Sequence, residues 1–241
     1  MCFSVQVDKD LKKLARQFAA KPSEQGFKAF NALQTYEAQQ GPEAMKEVLG
    51  LKRKPKSMVF KTADDKGRVY PGYWTNVIVK EKDQRIIKPM RYRVRPALST
   101  EEIPSKYNVF NCRLDSLEKR KTWKNIFMKN HALFPFVKFY EWVEVKGKKT
   151  LVHFKPQDRE VMWAPAVYDT WESINGDISF SSFALLTDEP PKEVEEAGHD
   201  RCPIFLKEEH IDDWLEASKL SKDETYEILQ QKEKVFYECA Q

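Results

Sequence analysis

The sequence predicts an α+β fold, a single domain with a mostly antiparallel sheet flanked by helices. Three observations lead there. Apolar residues recur at helical spacing near both ends of the 241-residue chain, short β-like runs fill its middle, and no alternating strand–helix rhythm of a parallel sheet is present.

Taken in order, a short N-terminal strand comes first, and Asp8 or Asp10 then caps a helix carrying Leu11, Leu14 and Phe18. Pro22-Ser23 breaks it. A second amphipathic helix runs from about Glu24 to Gln40 with Phe27, Phe30, Leu33 and Tyr36, and Gly41-Pro42 separates it from a third helix ending near Val48. The basic run Lys52-Arg53-Lys54-Pro55-Lys56 then closes a helical insertion of about residues 8–50. Ser57–Phe60, Trp74–Lys80 and Ile86–Tyr92 read as strands, and Asp115–Met128 as a helix. Leu133–Val145 and Thr150–Phe154 form a hairpin about Lys146-Gly147-Lys148-Lys149. Met162–Tyr168 and Ser179–Thr187 are buried strands, and residues 207–238 return to helix, with Ile211, Trp214 and Leu215 on one face and Tyr226, Ile228, Leu229, Val235 and Phe236 closing the chain.

Composition narrows the function classes. Hydrophobic content of 41% with 32% charged residues describes a soluble globular chain, and no apolar run reaches the ~20 residues of a membrane span. The N-terminus lacks a basic flank and a long apolar stretch, so the expected location is the cytoplasm, associated with the nucleoid in a bacterium or nuclear in a eukaryote. Four scattered cysteines without a Cys-x-x-Cys pair disfavour a zinc site and a disulfide framework. The eight glycines form no phosphate loop, and neither His-Glu-x-x-His nor Gly-x-Ser-x-Gly occurs. No cofactor or metal is expected, and the chain reads as a monomer.

Several residues carry chemistry. Cys2 follows the initiator methionine and is small enough to permit its removal, which would expose an α-amine and a thiol on adjacent carbons. Such a 1,2-aminothiol condenses with an aldehyde through nitrogen and closes a five-membered ring through sulfur. Glu141, between Tyr140 and Trp142, is either a half-buried acid suited to proton transfer or a solvent-facing carboxylate on an alternating strand. Asn111 and Arg113, two apart on a strand, either hold an anion together or form a bonded pair at a sheet edge. His199, after Gly198 and before Asp200-Arg201-Cys202-Pro203, is an accessible loop imidazole.

An initiating Met-Cys, then Asn111-Cys112-Arg113, Phe139-Tyr140-Glu141-Trp142 and His199-Asp200-Arg201-Cys202-Pro203, in that order, resembles the SRAP family, named for an SOS response-associated peptidase, whose members sense abasic sites in single-stranded DNA. Arg68-Val69-Tyr70-Pro71-Gly72 is similar to the family's Tyr-Asn-x-Ala-Pro-Gly turn, and Pro89-Met90-Arg91-Tyr92 to its Met-Arg-Trp-Gly strand. The resemblance covers about residues 57–215 and the extreme N-terminus. It implies a barrel-like central sheet and a covalent thiazolidine between Cys2 and the C1′ aldehyde of an abasic sugar. It also implies that Asn111 positions the Cys2 end, that Glu141 moves protons, that His199 assists reversal, and that Arg113, Arg201, Arg91 and Pro71 contact DNA.

The chain departs from the family pattern in several places. Cys2-Phe3-Ser4 stands where the family has Cys-Gly-Arg, and Tyr92-Arg93-Val94-Arg95-Pro96 replaces a tryptophan-bearing segment, so that Arg91, Arg93 and Arg95 are either electrostatic substitutes or sheet-surface charges. Lys138 replaces the glycine before Phe139. Two other readings remain open from sequence: an N-terminal cysteine hydrolase or self-processing peptidase, which needs an oxyanion hole and a peptide groove, and a non-catalytic DNA-binding module with a degenerate site.

Overall fold

The computed structural model describes residues 3–240. In chain order its elements are β1 (Ser4–Gln6), α1 (Leu11–Gln17), β2 (Ala20–Pro22), α2 (Glu24–Val48), β3 (Arg68–Val69), β4 (Trp74–Glu81), β5 (Gln84–Tyr92) and β6 (Asn111–Arg113). There follow α3 (Lys121–Lys124), β7 (His131–Phe136), β8 (Lys138–Val145), β9 (Lys148–Pro156), β10 (Met162–Glu172), β11 (Ser179–Asp188), α4 (Lys192–Glu196), β12 (Cys202–Pro203), α5 (Ile211–Leu215), α6 (Lys222–Gln230) and β13 (Tyr237–Ala240).

Strands β4, β5, β11, β10 and β7 pair in a ring, which closes the sheet into a barrel. Four of the five pairings are antiparallel. The seam between β5 and β11 is parallel, with Ser182 opposite Arg91 and Phe183 opposite Tyr92. A second sheet, ordered β13-β9-β8-β1-β3, packs beside the barrel. One face of the barrel strands, with Val77, Met90, Phe134, Ala166, Phe183 and Leu185, joins Phe139, Val152 and Phe154 of the second sheet in one core. Alternate residues such as Ile78, Ile87, Leu133, Val167 and Leu186 turn to the other face, under Trp214, Ile228 and Leu229 of the C-terminal helices. That two-sided burial is why β4, β7 and β11 read as apolar runs rather than as alternating ones.

Local chemistry sets the helix boundaries. The Asp10 carboxylate accepts from the Lys12 and Lys13 amides at 2.9 and 3.0 Å, and Ser23 Oγ accepts from the Gly26 amide at 3.0 Å. Gly41, at φ 75° and ψ −179°, divides α2 into two helical pieces, with Pro42 at the start of the second. Phe30, Leu33 and Met45 of α2 pack on Trp74, Trp171 and Phe180 outside the barrel.

Four sequence expectations need correction. Ser57–Phe60 is not a strand: the buried Glu37 carboxylate of α2 accepts the Val59 and Phe60 amides that a neighbouring strand would otherwise take. Leu133–Val145 is two strands, because the chain leaves the barrel at Val137, whose amide donates to Gln6 O at 2.7 Å, and enters the second sheet. Asp115–Met128 contains only one turn of α-helix, α3, preceded by a 3-10 turn at Leu114–Ser116. Residues 207–238 are not helical to the end, since α6 stops at Gln230 and Tyr237–Ala240 pairs with β9 as an edge strand. Among the described residues no helix is long and apolar enough to cross a membrane.

Candidate active site

The C-terminal end of β11 gathers the motifs. On one side Leu185, Leu186 and Thr187 pair in parallel with Asn111, Cys112 and Arg113 of β6. On the other side Thr187 and Asp188 pair with Pro203 and Cys202 of β12, which anchors the loop carrying His199.

How that loop is aimed follows from the end of α4. Gly198 adopts φ +92°, its amide donates to Glu195 O at 2.8 Å, and the His199 amide donates to Val194 O at 3.2 Å. These two bonds make a Schellman cap, and the left-handed residue within it favours glycine. The chain therefore reverses at Gly198 and turns the His199 ring toward β8. There Glu141 lies buried on the same face as Phe139 and Val143, at only 2% exposure, which excludes the solvent-facing alternative.

His199 Nε2 and Glu141 Oε2 are 3.0 Å apart. His199 Nδ1 lies 2.9 Å from Arg201 O, against 3.3 Å from the Arg201 amide. A carbonyl oxygen only accepts, so the shorter contact makes Nδ1 a donor. Nε2 is thereby turned to Oε2 in a close imidazole–carboxylate pair. Such a pair can deliver or take up a proton with little movement of heavy atoms.

Asn111 is buried, its amide donates to Asn108 Oδ1 at 3.0 Å, and the Tyr92 hydroxyl donates to its Oδ1 at 3.1 Å. Tyr92 ends β5 at the barrel seam, so the core itself orients this side chain. Arg113 and Arg201 meet at Asp115, whose carboxylate receives Arg113 Nη2 at 2.6 Å and Arg201 Nη2 at 3.5 Å. Arg113 therefore pairs with Asp115, a carboxylate it shares with Arg201, rather than with Asn111. Two guanidiniums on one carboxylate leave this corner with an excess positive charge beside the His199 loop.

Cys2 lies outside the described residues, but the strand that follows it is well defined. Phe3 donates its amide to Tyr140 O at 3.0 Å, and Ser4, Val5 and Gln6 pair with Tyr140, Phe139 and Lys138. β1 thus runs along the strand that carries Glu141. Pro71 lies at the second position of a turn in which the Tyr73 amide donates to Tyr70 O at 2.9 Å, and Gly72 supplies the required positive φ of 97° in the third. Arg91 is placed otherwise than expected. It is 4% exposed, and its terminal nitrogens donate to Glu102 at 2.8 and 2.7 Å, so it is a buried ion-pair partner rather than a surface charge.

Sequence reasoning passed over an aromatic ledge beside the site. The rings of Phe3 and Trp142 meet edge to face at 5.9 Å, Phe3 meets Tyr70 at 6.0 Å, and Arg68 stacks 3.8 Å over the Tyr140 ring. Its signal was present in the alternation of β8, which sends Tyr140 and Trp142 to the face opposite Glu141. The two buried thiols are unlike a nucleophile: burial pushes Cys202 up to about 12 and Cys112 well above the ordinary thiol range.

The sequence profile of the family described as "SOS response associated peptidase (SRAP)" matches residues 1–241. The chain belongs to the SRAP family. Similar proteins include the Bacillus subtilis (strain 168) "Abasic site processing protein YoqW", 22% identical over 154 residues that make up 64% of this chain and 67% of that protein. The Pongo abelii "Abasic site processing protein HMCES" is 24% identical over 190 residues, 66% of this chain and 54% of that protein, so the chain spans about half of this longer relative. Among solved structures, a Bacteroides thetaiotaomicron protein aligns over 95% of this chain and 86% of its own at a TM-score of 0.68 and 16% identity. One from Bordetella bronchiseptica aligns over 95% and 93% at 0.66 and 19%. These likenesses show a fold shared with those two proteins.

Proposed function

We propose that this SRAP family member recognises abasic sites in single-stranded DNA and captures them covalently through Cys2 after removal of Met1. The observation that carries the reading is the contact of His199 with Glu141, 3.0 Å apart, with Glu141 on the strand along which β1 leads back toward Cys2. The names of the similar proteins as abasic site processing proteins support the substrate class.

The ring-opened abasic sugar presents an aldehyde at C1′. The Cys2 amine adds to that carbon, a proton reaches the former carbonyl oxygen, and water leaves as the C=N bond forms. The thiol then adds across the imine: sulfur bonds to C1′, its proton passes to nitrogen, and a thiazolidine results with the loss of one water overall. Each step moves a proton at a defined place, which the Glu141–His199 pair can provide, and the reverse sequence uses the same pair. Asn111 orients the sugar and the Cys2 end, and Arg113 and Arg201 hold flanking phosphates through the positive charge left over at Asp115. The products are a shielded lesion and a DNA–protein crosslink.

The test is incubation of the full chain, checked by mass for loss of Met1, with labelled single-stranded DNA bearing one abasic site. A band that survives denaturation and disappears with Cys2→Ala is expected. No such band from a chain beginning at Cys2 would overturn the proposal.

A further inference from the structure

Past the barrel seam, β5 and the segment after it carry three arginines at alternate positions, Arg91, Arg93 and Arg95, all buried. They converge on one carboxylate. Arg91 Nη2 lies 2.7 Å from Glu102 Oε1, Arg95 Nη1 3.5 Å from Oε2, and Arg93 Nε 3.9 Å from Oε1. Arg95 also stacks 3.6 Å over the Trp171 ring and donates to Leu49 O, and Arg93 Nη2 donates to Ile103 O and Pro104 O. Three guanidiniums against one carboxylate leave a positive excess away from bulk water, and burial lowers the affinity of Arg93 and Arg95 for their protons. Uncompensated buried charge is costly, and a bound anion would offset that cost.

A cavity of about 240 Å³ opens above this cluster. Arg91, Arg93, Glu102, Lys61 and the Pro71–Tyr73 turn line it. Glu102 is the sole acid among its lining residues. Leu51 and Met58 also line it, and they bracket the run Lys52-Arg53-Lys54-Pro55-Lys56, whose four basic side chains are exposed. The basic run therefore leaves and rejoins the body at the cavity rim. At its other edge the turn begins with Tyr70, whose ring touches Phe3.

We propose that this cavity and its basic rim bind backbone phosphates of the DNA strand, at a place separate from the Arg113–Arg201 corner. The proposal rests on the reading of the chain as a single-strand binder. A polyanion fits better than a lone phosphate because the positive charge does not end in the cavity but continues over the rim. The cavity takes one phosphate against Lys61 and Arg93, and the rim takes its neighbours.

The experiment uses the full chain with Cys2→Ala, so that only non-covalent binding is read, and follows an undamaged labelled oligothymidylate by anisotropy across a salt series. Each phosphate neutralised on a single strand contributes ~0.7 to the slope of log affinity against log salt. Lys61→Ala is expected to lower that slope by ~0.7, and the combined Lys52, Arg53, Lys54 and Lys56→Ala variant by ~2 or more. Slopes unchanged in both variants, or no binding of the oligonucleotide at all, overturn the proposal. Inorganic phosphate is titrated in parallel by NMR; loss of its binding in Lys61→Ala with unchanged oligonucleotide slopes makes this a free-anion site and overturns the assignment to a strand. Reduced slopes together with no crosslink from the Cys2 chain would leave the phosphate site standing and remove the Cys2 chemistry alone.

Discussion

His199 Nε2 and Glu141 Oε2 stand 3.0 Å apart, one on a loop turned by a left-handed glycine and the other on a strand of the second sheet. Because His199 Nδ1 is engaged with Arg201 O, Nε2 faces the carboxylate and a proton can pass between the two side chains with little movement. Glu141→Gln keeps the shape of the side chain but removes its capacity to carry that proton. Thiazolidine formation is then expected to slow by ~10²-fold or more, as measured by single-turnover crosslinking on denaturing gels. His199→Ala should yield an adduct that reverses more slowly when challenged with unlabelled abasic DNA. A wild-type rate in Glu141→Gln would separate the pair from the chemistry.

The Tyr92 hydroxyl donates to Asn111 Oδ1 at 3.1 Å from inside the barrel seam. Tyr92→Phe deletes the hydrogen bond to Asn111 and leaves the ring stack on Phe183 intact, so loss of that bond costs ~1 kcal/mol. Crosslinking should fall further than stability does, because Asn111 loses the contact that orients it. Urea melts beside crosslinking rates distinguish the two, and equal wild-type rates would show that Asn111 needs no such support.

Glu102 is the carboxylate on which Arg91, Arg93 and Arg95 converge. Burial raises its carboxyl, and the three guanidiniums, Arg91 foremost, outweigh that and hold it below the ordinary carboxylate range. A depressed folded value means that the stabilisation is present above the unfolded value of about 4.3 and is lost as pH falls through the folded one. Glu102→Gln should cost ~3–5 kcal/mol near neutrality, since it strands buried charge. The variant should also lose part of the acid-dependent drop in stability, and denaturant melts between neutral and acid pH read both effects.

Thiol chemistry offers an independent check. Cys112 and Cys202 are buried with raised thiol affinities for their protons, whereas Cys239 is exposed on the edge strand. Iodoacetamide applied to the native protein at mildly basic pH should label Cys2 and Cys239 and spare the other two. A cyanobenzothiazole, which condenses only with a 1,2-aminothiol, should label Cys2 alone. Peptide mapping reads both, and modification of Cys202 in the folded chain would contradict its burial.

Much of this was legible in the sequence because the decisive residues are local exceptions: a carboxylate inside an aromatic run at Glu141, and a glycine just before a loop histidine at His199. What escaped depended on contacts distant in sequence. Val137 extends the apolar run of β7, so nothing local marks it as the point where the chain changes sheets; the bond to Gln6 O does. Ser57–Phe60 has strand-like composition, but a carboxylate on α2 satisfies its amides. The arginines after β5 look like surface charges until Glu102, supplied by the next loop, draws them inward. The end of the chain carries apolar residues compatible with helix, yet the open edge of β9 takes Tyr237–Ala240 as a strand.

The central claim concerns the bond made by Cys2, and the mass of the adduct tests it most directly. The crosslinked chain, digested with protease and nuclease, should yield the N-terminal peptide beginning at Cys2 with the mass of the abasic residue added and one water lost, unchanged by borohydride. A borohydride-dependent gain of two hydrogens would indicate an open imine, and attachment at a lysine or at Cys239 would contradict the account.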